Sequence, residues 1–289
     1  MIIVIGGSSY IGSHLCSHFK SKNQLSTATY YKTPVKGMQF FDLKQPDIKY
    51  LDLDFDEVKY AVICSAMSKV DECRKKKDLS ESINVVGMKS LINQLFSMNI
   101  KPIFFSSDQV FDGKKGTYVE EDIKKPVNVY GMQKKTIEDF LLHSDKPFMI
   151  SRISKIFGLK KGDSTLLTSW VEDLLDDKVF HCAVDQVLSF TWVFDIVRSI
   201  EISIQKDLNG CYNICNPEPL SRFDLARLIQ SELNIKTGKI LPCSINDFSF
   251  ADPRGFNTSL DPSKFISETG FSFTSMDECL NELKKVYDL

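Results

Sequence analysis

The sequence has no apolar run of membrane length, since its unbroken hydrophobic stretches are a few residues each, far short of the ~20 that a spanning helix needs. It has almost no excess of charge either: 36 Lys+Arg stand against 38 Asp+Glu, a net charge of -2 over 289 residues. Without a basic field, neither nucleic acid nor an anionic membrane is an expected partner. Met1–Ile5 lacks a basic segment before it and meets glycine at once, so no signal peptide is read there. The eight cysteines (16, 64, 73, 182, 211, 215, 243, 279) contain no CxxC pair, which reads as reduced thiols in a cytoplasmic protein. Histidine is scarce. His14 and His18 lie four apart with no third ligand beside them, so a surface pair is expected and no metal. Internal repeats and low-complexity linkers are absent as well.

What remains is ordinary globular material, 43% hydrophobic, 11% aromatic and 26% charged, long enough for one large domain or two unequal lobes. Ile2–Ile5 reads as a buried strand, followed by the glycine-bearing turn Gly6–Gly12 and a helix. Further strands are expected at Leu25–Tyr31, Met38–Phe41, Tyr60–Cys64, Pro102–Phe105 and Phe148–Arg152. Helices are expected from Ser80 to Met98 and from Val129 to Leu142. This alternation argues for an α/β fold with a parallel sheet covered on both faces. After about Gly158 the rhythm loosens: helices at Ser164–Leu175, Phe194–Ile204 and Arg222–Leu233 accompany strands at Val179–Val184 and Tyr212–Cys215, and Asn246–Asp261 reads as loop. The expected division is a dinucleotide-binding domain over 1–157 and a substrate lobe over 158–289, part of 183–205 returning to the first.

Two places carry chemistry. The turn Gly6-x-x-Ser9-x-x-Gly12 follows the first strand, where glycines allow a pyrophosphate to approach the backbone and a helix N-terminus. At the end of the second strand Tyr31-Lys32 offers a hydroxyl and a cation where NAD binders place a carboxylate, which favours NADP(H) over NAD(H). Downstream, Ser106-Ser107-Asp108 ends a strand, and Tyr130 and Lys134 share one helix face four residues apart. A phenol is a poor acid at neutral pH. A neighbouring lysine that lowered its pKa would supply roughly 3–4 kcal/mol of preference for the phenolate.

Taken together, Ile5–Gly12, Ala66–Cys73, Ile83–Gly87, Ser106–Gly113, Asn128–Lys134, Arg152–Gly158, Val184–Asp195 and Arg254–Asp261 resemble the extended short-chain dehydrogenase/reductases, and among them the dTDP-4-dehydrorhamnose reductases. The resemblance implies a Rossmann-type doubly wound parallel sheet with a smaller C-terminal α/β lobe for a nucleotide-linked keto sugar, and it allows a homodimer. It places Ser107, Tyr130 and Lys134 on the catalytic set. Gly6, Ser8, Ser9, Tyr10, Ile11 and Gly12 fall on the cofactor turn, with Tyr31, Lys32, Asp42, Leu43, Ser65 and Ala66 further along the cofactor. Ser107, Asp108, Gln109, Lys155 and Arg254 fall on substrate contacts, Arg254 toward the diphosphate. The implied activity is NAD(P)H-dependent reduction of a sugar C4 ketone for deoxysugar and polysaccharide assembly.

The chain departs from that pattern at three positions: Ser9 replaces a glycine, Gln109 stands at a customary tyrosine and Lys155 at a customary tryptophan. The last two face the substrate by resemblance, so the reaction class transfers more firmly than the sugar. Two alternatives stay open: an epimerase or dehydratase on the same fold, and a cofactor-binding regulatory subunit like the β subunit of methionine adenosyltransferase.

Overall fold

The computed structural model describes residues 1–289. Strand β1 (Ile2–Ile5) is built of branched aliphatic residues buried on both faces. It feeds helix α1 (Tyr10–Ser21), whose start is capped by Ser9 Oγ accepting the Gly12 N–H at 3.2 Å. Strands β2 (Ser26–Tyr30), β3 (Gln39–Phe40) and β4 (Tyr60–Ile63) follow. Next come α2 (Val70–Lys75), α3 (Lys77–Glu81) and α4 (Met88–Ser97), then β5 (Lys101–Ser107), α5 (Val129–Leu142) and β6 (Met149–Ile153). The Asn128 side chain caps α5 by accepting the Gly131 N–H at 2.8 Å.

These six strands and Gly210–Asn213 form one parallel sheet, ordered 210–213, β6, β5, β4, β1, β2, β3. The order reverses between β1 and β4, and in open α/β sheets ligands bind in the crevice above such a point. Alternate side chains feed two cores. Ile3, Ile5, Ile63, Phe104 and Ile150 pack toward α4 and α5. Ile2, Val4, Val62, Phe105 and Met149 pack toward α1, the helix Val193–Gln205 and Phe265. A third core joins Phe157, Leu167, Trp170, Leu225, Ile229 and Leu283 from the C-terminal half. No helix is long and apolar enough to cross a membrane.

Four expectations change. The helical pattern from Ser80 to Met98 is interrupted by a widened π turn, Ser82–Gly87, between α3 and α4. Such a turn inserts a residue and redirects side chains, which periodicity does not reveal. The strand expected at Tyr212–Cys215 lies at Gly210–Asn213 and pairs with β6 in the main sheet. With Val193–Gln205 and Ser263–Thr269 packed on the same sheet, more of 158–289 returns to the first layer than 183–205 alone. Finally, His18 is not a free surface residue: its Nε2 meets Glu201 Oε2 at 2.7 Å.

Candidate active site

Above the switch point lies a cavity of about 770 Å³. Of the residues singled out from sequence, Gly6, Ser8, Ser9, Tyr31, Lys32, Asp42, Leu43, Ser65 and Ala66 share its wall. Gly6 has φ +85°, and a Cβ there would collide with Ser65, so the tight turn requires glycine. A Cβ on Gly12 would strike the Gly6 carbonyl, so glycine lets α1 start directly against the turn. Tyr10, Ile11 and Gly12 are not on this wall. Tyr10 instead donates to Asp163 Oδ2 at 3.2 Å, and burial together with that carboxylate raises its pKa. Tyr10 therefore ties α1 to the 158–165 loop.

The wall suits an anionic dinucleotide. Ser8 and Ser9, which lead into α1, lie on it at the helix N-terminus, Lys32, Lys44, Lys69 and Lys76 surround the opening, and β2 ends without a carboxylate. Asp42 is engaged locally, accepting the Lys44 N–H at 2.8 Å. The sequence reading missed Met67, Lys69 and Lys76, because only the fold turns the β4–α2 loop and the end of α2 toward the turn after β1.

Ser107 closes β5, and Asp108–Val110 forms a single 3₁₀ turn behind it. A Cβ on Gly131 would run into the Gln109 carbonyl. Glycine at that position lets α5 press onto the turn and bring Tyr130 to Ser107. Tyr130 and Lys134 are both buried. Lys134 Nζ donates to the Phe105 carbonyl at 2.6 Å and lies 5.7 Å from the centroid of the Tyr130 ring. Burial pushes Lys134 down to about 8, against the pull of Cys73 and Glu138. Tyr130 moves up: burial dominates, the charge of Asp108 adds to it, and a hydrogen bond with Ser107 offsets part. The expected lowering of the phenol by Lys134 is thus not what the geometry produces, because the ammonium is turned to the Phe105 carbonyl. A phenol held protonated is nevertheless the form a proton donor needs.

Asp108 accepts from Ser107 Oγ (2.8 Å), Gln109 Nε2 (3.3 Å), Ser154 Oγ (3.1 Å) and Thr258 Oγ1 (2.6 Å). Burial raises its pKa and these four bonds resist the rise. Gln109 is fixed between Asp108 and Asn128, whose Nδ2 reaches its Oε1 at 3.0 Å. Lys155 is lowered by burial and by the charge of Arg222, with Asp108 opposing. Arg222, not anticipated from sequence, donates from Nε to Gln186 Oε1 at 2.5 Å and is lowered by burial and by Arg254. Arg254 bonds Asp71 Oδ1 at 2.9 Å and the Asp252 carbonyl at 2.7 Å, its guanidinium 4.8 Å from the Phe250 ring. Lys155, Arg222 and Arg254 thus bring positive charge together beyond Ser107, a setting for an anion such as a diphosphate. One signal for Arg222 lay in the sequence: it opens a helix behind the cap Ser221, where the helix dipole disfavours a cation.

The model of the RmlD substrate binding domain matches residues 1–288. The chain belongs to this family. It is 25% identical to the spore coat polysaccharide biosynthesis protein SpsK of Bacillus subtilis, over 97% of this chain and 95% of that protein. It is 22% identical to the methionine adenosyltransferase 2 subunit beta of Xenopus tropicalis, over 91% of this chain and 80% of the relative. Its fold matches the dTDP-4-dehydrorhamnose reductase of Bacillus anthracis, solved in complex with NADP, with a TM-score of 0.82 at 23% identity, covering 99% of this chain and 98% of that one.

Proposed function

We propose that this chain is an NADPH-dependent reductase of the C4 ketone of a nucleotide-linked 4-keto-6-deoxy sugar, serving deoxysugar and surface polysaccharide assembly. The carrying observation is the convergence of Ser107, Tyr130 and Lys134 at the end of β5, in a chain that matches its family from end to end. When bound in the 770 Å³ cavity, reduced nicotinamide supplies the hydride. Tyr130 gives its proton to the ketone oxygen, and its raised pKa keeps that proton in place until the carbonyl becomes basic. Ser107 would redirect to the same oxygen the proton that it donates here to Asp108 Oδ1. Lys134, donating to the Phe105 carbonyl, keeps a positive charge on this face of α5 below about pH 8.

Lys32 on the cavity wall, with no carboxylate at the end of β2, supports a 2′-phosphate and therefore NADPH over NADH. Arg254 and Arg222 suit the nucleotide diphosphate, and Lys155, near Arg222 and Asp108, suits the sugar end. Catalysis is expected in the cytoplasm. The test is NADPH oxidation, followed at 340 nm, across dTDP-, UDP-, GDP- and CDP-linked 4-keto sugars. Turnover with at least one supports the reading, and none with any overturns it. The methionine adenosyltransferase β subunit, similar over 91% of this chain, favours a second reading as a regulatory subunit. NADPH binding without turnover, together with a stoichiometric protein partner, would establish that one.

A further inference from the structure

A buried amide pair links the two halves of the candidate site. Asn84 lies in the π turn Ser82–Gly87 and is 3% exposed. Its Oδ1 accepts the Met67 N–H at 2.9 Å and its Nδ2 donates to the Met67 carbonyl at 2.9 Å. The side chain thus grips one residue of the β4–α2 loop as a neighbouring strand would. Met67 and its neighbours Ala66 and Ser68 line the cofactor cavity. The second Nδ2 proton goes to Gln133 Oε1 at 2.8 Å. Gln133 is 2% exposed and sits on α5 between Tyr130 and Lys134. Its own Nε2 donates to Ser80 Oγ at 2.8 Å, and Ser80 Oγ donates to the Cys73 carbonyl at 3.0 Å.

Both amide orientations are determined by this network. Asn84 must present oxygen to the Met67 N–H and nitrogen to the Met67 carbonyl, which leaves only an N–H for Gln133. Gln133 must then turn its oxygen to Asn84 and its nitrogen to Ser80. A buried network satisfied at every member is rigid, and losing one member leaves the others unpaired. We infer that Gln133 is a positioning residue: through Asn84 it locks the cofactor-lining loop at Met67 to the helix that carries Tyr130 and Lys134. The π turn has a clear part in this arrangement, since it brings the Asn84 side chain to both partners at once. The inference rests on the reductase reading for its kinetic consequence only.

The test compares Gln133→Met, which keeps length and removes the side-chain hydrogen bonds to Asn84, Ser80 and Glu81, with the parent chain. Hydrogen exchange is measured over 65–69, NADPH affinity by fluorescence titration, and steady-state constants with the accepted nucleotide sugar. Exchange at the Met67 amide should quicken and the NADPH Kd should rise, each about tenfold, the range for unpairing a buried partner. KM for the nucleotide sugar should stay within about twofold while kcat falls. Asn84→Asp, which loses both donated bonds, should give a similar loss, and the double variant should lose little more, because both changes break one connection. Gln133→Ser shortens the reach to Asn84 and serves if Gln133→Met does not fold. Unchanged exchange at Met67 with an unchanged NADPH Kd overturns the proposal. So does a uniform rise in exchange with a lowered Tm, which would mark a packing residue only. If the parent binds no NADPH, the reductase reading falls, and exchange at Met67 still decides whether the clasp exists.

Discussion

At the residue scale the chemistry depends on protonation states that burial sets. Tyr130 is pushed up by desolvation and by Asp108, so it remains a phenol across the working range and acts as an acid. Tyr130→Phe is expected to lower kcat by about 10²–10⁴, the range for removing a general acid, with NADPH affinity nearly unchanged in a fluorescence titration. Lys134 behaves in the opposite sense. It is brought down to about 8, so its charge is present below that value and disappears as pH rises through it. The alkaline limb of kcat should therefore fall near pH 8. Lys134→Arg should move that limb well upward at a reduced plateau, because guanidinium stays charged. A limb left at pH 8 in Lys134→Arg would assign the titration to another group.

At the scale of elements, α5 is held on β6 by a buried ion pair. Arg152 Nε and Nη2 donate to Glu138 Oε1 and Oε2 at 2.9 and 2.8 Å, and Ser106 Oγ adds a bond to Oε1 at 2.5 Å. Both ionic side chains are essentially unexposed. Burial works against the Glu138 carboxylate, but Arg152 and Lys124 hold it below the usual carboxylate range. Arg152→Met leaves that carboxylate only Lys124 and Ser106 as partners and is expected to cost about 3 kcal/mol in urea unfolding. The sign in pH follows from the lowered value: the pair's contribution is complete above the ordinary carboxylate pKa and is lost as pH falls toward and through the folded one. At this scale the sequence was largely readable. The α5 boundaries Val129–Leu142 follow from local residue types. The π turn did not, since Asn84 is drawn out of the regular helix by Met67, a partner outside the helix.

At the scale of the whole molecule, the loop 251–254 closes the C-terminal half over the first. Asp71 on α2 receives Arg254 and the Ala251 N–H, at 2.9 and 3.1 Å. Asp252 Oδ2 accepts the Val129 N–H at the start of α5 at 2.7 Å, and Asn128 Nδ2 donates to the Pro253 carbonyl at 3.1 Å. Burial raises and Arg254 lowers Asp71, the net being a carboxyl below its usual range. Arg254→Met should raise KM for the nucleotide sugar about tenfold or more, the worth of a charge-assisted hydrogen bond, with kcat changed little. An unaltered KM would place the diphosphate elsewhere, with Arg222 and Lys155 the remaining cations.

The sequence alone determined the succession of the main-sheet strands β1 to β6 with α1 and α5 between them, the glycine turn after β1 and the Tyr130/Lys134 face of α5, because each rests on neighbours within a few residues. Tertiary structure alone decided which way Lys134 points, that Arg222 joins Lys155 and Arg254, and that Gln133 reaches Met67 through Asn84. Those facts depend on burial and on partners far away along the chain, such as Gln133 with Asn84 and Thr258 with Asp108. Spacing along a chain carries no information about such distances until the sheet has formed.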